Sequence, residues 1–146
     1  YRVMTKAEAS IRDRLEEHEI QPSAPRMAIA QYVWNTCSHP TAEDVKREVE
    51  KNFPMVSLAT VYNTLKLFVE KGLLKEVPDP ERGSVRYDCN TEPHFHFIDE
   101  ETGEMQDLEP SALKVSPNLQ LLDGSYQIRE VEVTLKGKRI NKSKKN

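Results

Sequence analysis

The chain has 146 residues, 37% of them hydrophobic and 31% charged, with a formal net charge of −3. That length holds one domain or two very small ones, and the apolar content supports only a modest core. No apolar run approaches the ~20 residues a membrane-spanning helix needs, and no signal-peptide pattern precedes the first helical segment.

The charge is uneven. Residues 1–78 carry 11 basic and 11 acidic groups, residues 79–135 carry 4 and 13, and residues 136–146 carry 6 and none. An acidic middle suits cations, while a neutral first half with local basic spots can still meet phosphate. Cys37 and Cys89 stand far apart, in no paired motif. This argues against a disulfide framework and for a reducing cytoplasm; both are read as half-buried small hydrophobes.

In chain order, Thr5 to Glu19 predicts an amphipathic helix with Ala7, Ile11 and Leu15 on one face. His18, at its end, reads as a partly buried structural histidine. Gln21 to Pro25 breaks the helix, and a second one starts at Ser23 or Ala24, where Pro25 sits in a first turn. Met27, Ile29, Ala30, Val33 and Trp34 make its apolar stripe. Thr41 followed by Asp44 resembles a capping box and opens a third helix over Ala42 to Lys51. Ser57 caps a fourth, Leu58 to Lys71, and Gly72 ends it. Leu73–Val77 and Ser84–Cys89 read as a hairpin around a turn at Pro78 to Gly83. Short helices followed by a hairpin is the order of a winged helix.

Beyond Asn90 the pattern changes to short strands, His94–Ile98 and Glu104–Leu108. A short helix is expected around Leu113 to Leu122, then a long strand over Tyr126–Leu135 and a frayed basic tail from Lys136. The class is therefore α+β, with a boundary between residues 1–90 and 91–146.

Two constellations carry chemistry. The fourth helix presents Ser57, Thr60, Tyr62, Asn63 and Lys66 away from its apolar face. Short hydroxyls at a helix N-terminus suit phosphate, Tyr62 suits thymine methyls, and Asn63 suits adenine in a major groove. Arg26 and Lys66 would neutralise phosphates, with Arg82 and Arg86 at the hairpin tip near the adjacent groove. A small helical domain with a polar outer face is the competing explanation. The second constellation is His94-x-His96, whose imidazoles fall on one side of a strand, with Asp107 on the next strand, Asp88 at the hairpin's end and His39 in a loop. Such an N/O donor set suits iron(II) or manganese(II), tolerates zinc, and offers no thiolate. Ordinary strand histidines are the alternative for an isolated pair.

Taken in order, Pro25-Arg26, His39-Pro40-Thr41-Ala42-Glu43-Asp44-Val45, Ala59-Thr60-Val61-Tyr62-Asn63-Thr64-Leu65, Gly72-Leu73-Leu74, Arg86-Tyr87-Asp88 and His94-Phe95-His96 resemble the ferric uptake regulator (Fur) family, over essentially residues 5–140. The resemblance implies a cytoplasmic, homodimeric, metal-dependent repressor that is not an enzyme. A winged-helix DNA-binding domain over residues 1–90 would precede a small α/β dimerisation domain over 91–146. The implied metal ligands are His39, Asp88, His94, His96 and Asp107, and the implied ion is Fe2+ or Mn2+, with Zn2+ accepted in vitro. Aspartate at both carboxylate positions resembles the peroxide-sensing PerR branch, in which His39 or His94 would be the oxidised ligand. An iron- or zinc-uptake regulator is the alternative within the family, and a non-haem iron oxygenase the alternative outside it. One departure is clear: Asp99 and Thr102 stand where relatives carry a first Cys-x-x-Cys pair, and Ile140 to Lys144 lacks the second. No thiolate structural zinc can form, so dimer stability is expected from packing through Tyr126–Leu135.

Overall fold

The structure, a computed structural model, describes residues 6–115, 122 and 124–140. The chain divides into two compact units, Tyr1–Thr91 and Glu92–Asn146. The first contains α1 (Lys6–Glu17), α2 (Ala24–Thr36), α3 (Ala42–Val49), α4 (Leu58–Glu70), β1 (Lys75–Asp79) and β2 (Ser84–Asp88). The second contains β3 (Phe95–Asp99), β4 (Met105–Leu108), one 3-10 turn at Pro110–Ala112 and β5 (Thr134–Gly137).

Local signals set the helix starts. Ser23 accepts from the Arg26 N–H ahead of α2, and Ser57 accepts from the Thr60 N–H ahead of α4. Thr41 and Asp44 close a reciprocal capping box on α3. Gly72 follows α4 with φ of 80°, a left-handed turn that glycine adopts without a Cβ clash. The core of this unit joins Leu15, Ile29, Val33, Val45, Val61, Leu65, Phe68 and Leu73, all fully or nearly fully buried. Trp34 stacks on Phe68 with centroids 6.0 Å apart, and the Arg14 guanidinium covers the Trp34 ring. The side chain of Ala7, the first residue of the predicted α1 stripe, lies outside the described residues. His18 is half-buried and donates through Nδ1 to the Arg14 carbonyl.

β1 and β2 form the wing, an antiparallel hairpin running from Lys75 opposite Asp88 to Asp79 opposite Ser84. Its turn is tighter than the sequence suggests. Pro78 pairs with Val85 inside the ladder, and the reversal occupies only Pro80 to Gly83. The Asp79 carboxylate causes this by accepting the Glu81 and Arg82 N–H groups.

In the second unit the strand order is β4-β3-β5, with β3 antiparallel to β4 and parallel to β5. The expected long strand over Tyr126–Leu135 does not form: among the described residues of this segment only Thr134–Gly137 is a strand, the part that meets β3. Residues 125–133 are irregular; strand geometry requires a neighbour for its N–H and C=O groups, and bonding to β3 begins only at the Val133 carbonyl, which accepts from the His96 N–H. Tyr126, Ile128 and Val131 in this stretch are exposed, as is Leu135 on β5. The predicted helix near Leu113–Leu122 falls largely on residues outside those described, and Leu113 to Val115 are not helical. Of the basic tail, only Lys136 to Ile140 is described. No helix among the described residues is long and apolar enough to cross a membrane.

Candidate metal centre and nucleic-acid interface

The first unit contributes a buried pair. His39 follows the C-terminus of α2 in a loop where both Cys37 and His39 take left-handed backbone, with φ of 43° and 57°. Asp88 is the last residue of β2. His39 Nε2 lies 3.3 Å from Asp88 Oδ2, and both side chains are 3% exposed or less. Two backbone-directed bonds fasten the loop to the wing. The Tyr87 N–H donates to the Pro40 carbonyl, and Arg86 Nη1 donates to the His39 carbonyl at 3.1 Å.

Arg86 is accordingly not at the wing tip, as the sequence suggested. It is buried, with its Nε 2.8 Å from Asp79 Oδ2. Burial works against the Asp79 charge, but the Arg86 hydrogen bond and positive charge, with the Arg82 and Glu81 N–H groups, hold the carboxyl below its ordinary value. The sequence could have revealed this. In the observed register Val77, Asp79, Ser84, Arg86 and Asp88 share one face of the hairpin, but placing Asp79 in the turn hid the pairing.

The cysteines require a second correction. Cys37 and Cys89 are joined in a disulfide, with Cα atoms 5.7 Å apart, and are not separate small hydrophobes. The signal was present: Cys37 is two residues from His39 and Cys89 adjoins Asp88, so bringing those two together brings the cysteines together.

The second unit contributes three donors. His94 precedes β3, His96 lies within it, and Asp107 pairs opposite His96 on β4. Asp107 Oδ1 is 3.2 Å from His94 Nε2 and 3.5 Å from His96 Nε2. The imidazole centroids are 4.5 Å apart, and one ligand atom from each of the three residues lies within 4.8 Å of the others. His94 Nδ1 is 2.6 Å from the Glu92 carbonyl. A carbonyl cannot donate, so Nδ1 carries the proton and, in the neutral ring, Nε2 presents its lone pair to the Asp107 carboxylate. Two acceptors facing each other need a proton or a cation between them. A backbone carbonyl fixing Nδ1–H is also the usual support of a ligating imidazole. The donor set therefore fits a divalent cation.

On the surface of α4, Thr60, Tyr62, Asn63 and Lys66 are exposed beside the N-cap Ser57, as expected. Tyr62 is restrained: its hydroxyl donates to Glu43 Oε1 on α3 at 3.0 Å, a bond that raises the phenol pKa. Arg26 Nη1 donates to the Gln21 carbonyl at 2.9 Å. Arg82 is exposed at the wing tip. Buried Tyr87 is pushed up to about 12, by desolvation first and then by the negative charge of Glu76.

Residues 17–136 match the model of the Ferric uptake regulator family. The chain is 40% identical over 95 residues to the peroxide operon regulator of Bacillus subtilis (strain 168), a stretch covering 65% of this chain and 65% of that protein. The chain thus spans about two-thirds of the length of the relatives it matches in sequence. Its fold matches the Helicobacter pylori ferric uptake regulator Fur with a TM-score of 0.67 at 14% identity, covering 99% of this chain and 98% of that one. It matches PerR from Streptococcus pyogenes with a TM-score of 0.52 at 25% identity, covering 97% and 96%. With this match over most of its length, and with a winged helix followed by a second small unit rich in histidine and carboxylate donors, the chain belongs to the ferric uptake regulator family.

Proposed function

We propose that this chain is a cytoplasmic, metal-dependent transcriptional repressor that binds operator DNA as a homodimer and senses hydrogen peroxide through oxidation of a ligating histidine. It acts as a regulator, not an enzyme. The carrying observation is the cluster of His94, His96 and Asp107, with the Asp107 carboxylate 3.2 and 3.5 Å from the two imidazole Nε2 atoms and His94 Nδ1 held by a backbone carbonyl, a donor set that fits a divalent cation. Two imidazoles and one carboxylate leave coordination positions to fill, and the buried His39–Asp88 pair of the first unit supplies the complementary donors. One Fe2+ or Mn2+ ion held by all five residues would tie the DNA-binding unit to the second unit, and so set the spacing of two recognition helices in a dimer. Ser57, Thr60, Tyr62, Asn63, Lys66 and Arg26 form the DNA face. Residues 1–90 act as the DNA-binding domain and 91–146 as the dimerisation domain, with the exposed Tyr126, Ile128, Val131 and Leu135 as the apolar surface for dimer packing.

The relatives named for peroxide response favour that branch. Bound iron(II) would supply the redox chemistry that turns hydrogen peroxide on a ligand. The net change, imidazole plus peroxide to oxygenated imidazole plus water, adds one oxygen atom to His39 or His94. A ring altered in this way is a poorer donor, and the DNA-competent arrangement is lost.

The test uses the iron-loaded chain with limiting peroxide, followed by mass measurement and DNA mobility shift. One added oxygen on a peptide containing His39 or His94, with loss of shift, supports the sensor. Unchanged mass with metal-dependent DNA binding marks an uptake regulator. DNA binding indifferent to manganese overturns the repressor reading altogether.

A further inference from the structure

The Cys37–Cys89 disulfide brackets the metal-ligand pair of the first unit. Cys37 caps the C-terminus of α2, and Cys89 directly follows β2, 52 residues later. Between these anchors stand His39 and Asp88, 3.3 Å apart. Cys37 is exposed and Cys89 is half-buried, so the disulfide joins residues near the protein surface and not in its core, the setting that exchange with an incoming thiolate requires. Disulfides inside cells are rare, and those that occur are usually transient and redox-sensing. A winged helix works where DNA is, so a disulfide within it has to coexist with that compartment's thiols.

We propose that Cys37–Cys89 is a reversible redox site whose state sets the metal affinity of the His39–Asp88 pair, resting on the metal-binding reading above. Its reactants are a cellular dithiol in one direction and a peroxide in the other. In reduction, a dithiol breaks the S–S bond by exchange, leaving two protein thiols and an oxidised dithiol, with two electrons and two protons transferred. In oxidation, two thiols and one hydrogen peroxide give the disulfide and two waters. The cross-link holds the end of α2 against the end of β2 and so preorganises the ligand pair. Opening it leaves the left-handed loop at Cys37 and His39 attached to β2 by the Tyr87–Pro40 and Arg86–His39 hydrogen bonds. The wing stays docked while the ligands lose their covalent brace.

The experiment uses the full chain, metal-free and without oxygen, equilibrated with increasing dithiothreitol. Thiols are counted by alkylation and mass, and Mn2+ binding is titrated in each redox form. The expected result is two alkylated cysteines in folded protein, with Mn2+ affinity about tenfold weaker in the reduced form. Peroxide added to the metal-free protein should restore the affinity, and the C37S/C89S variant should bind as the reduced form at every dithiothreitol level. Should the variant fail to fold, reduced wild-type protein still supplies the comparison. A disulfide that resists dithiothreitol until the chain unfolds overturns the proposal. Equal Mn2+ affinity in both forms overturns the coupling and leaves the metal reading standing. No Mn2+ binding in either form removes the metal reading, and this proposal with it.

Discussion

Arg86 shows how one side chain can serve stability and positioning together. Its guanidinium binds the Asp79 carboxylate and the His39 carbonyl from a buried site. Arg86→Met leaves Asp79 as a buried charge without its partner, and breaking such pairs costs about 3–5 kcal/mol. Urea denaturation of the two proteins reads the difference. Acid acts on the same pair. The folded Asp79 carboxyl sits below its ordinary 3.8, so the unfolded chain takes up the proton first as pH falls. The stabilisation is complete above 3.8 and is lost as pH drops through the folded value. Denaturation midpoints measured toward acid should fall for the wild type, and the share due to this residue should vanish in Asp79→Asn. An identical acid slope in the two proteins would count against this assignment.

At the scale of elements, the helices were legible and the strands only partly so. Ser23, Thr41 and Ser57 mark helix starts through short-range bonds from their own side chains, so their signal is local and survives in the sequence. Ser57→Ala should therefore lower stability by about 1 kcal/mol, read by thermal or urea melting. Because that hydroxyl also sits at the proposed DNA face, the same variant should weaken DNA binding when assayed well below its melting temperature. The strand over Tyr126–Leu135 failed for the opposite reason. Alternation reports which residues suit a pleated surface, but a strand forms only where another offers its edge, and the ladder with β3 covers Thr134–Gly137. The turn at Pro78 was misjudged because proline marks turns in general, whereas here it occupies a ladder position opposite Val85.

For the whole molecule, family and fold class were carried by ordered motifs, and the candidate donors His39, Asp88, His94, His96 and Asp107 were nameable as residue types. What joins or supports them was not. Cys37 to Cys89 and Asp79 to Arg86 are fixed by how α2 meets β2 and by strand register, so each becomes legible only once the His39–Asp88 pairing or the hairpin register is in hand. In the proposed dimer, Ile128→Glu puts a charge on an apolar surface that is 47% exposed in the single chain. Sedimentation should show a shift toward monomer, with DNA binding weakened in parallel and the first unit's fold unchanged. A dimer as tight as wild type would move the interface elsewhere.

The wing hairpin also has the geometry of a lever. Asp88 ends β2 on the side of the ligand pair, and Ser84 begins it beside the exposed tip. Five residues at ~3.4 Å each make an arm of roughly 17 Å. With Tyr87 and Arg86 pinning its inner end to the His39 loop, a tilt of about 5° at Asp88 carries the tip more than an ångström, enough to make or break a hydrogen bond. Small changes in how Asp88 is held would thus be magnified at the exposed Arg82 of the tip.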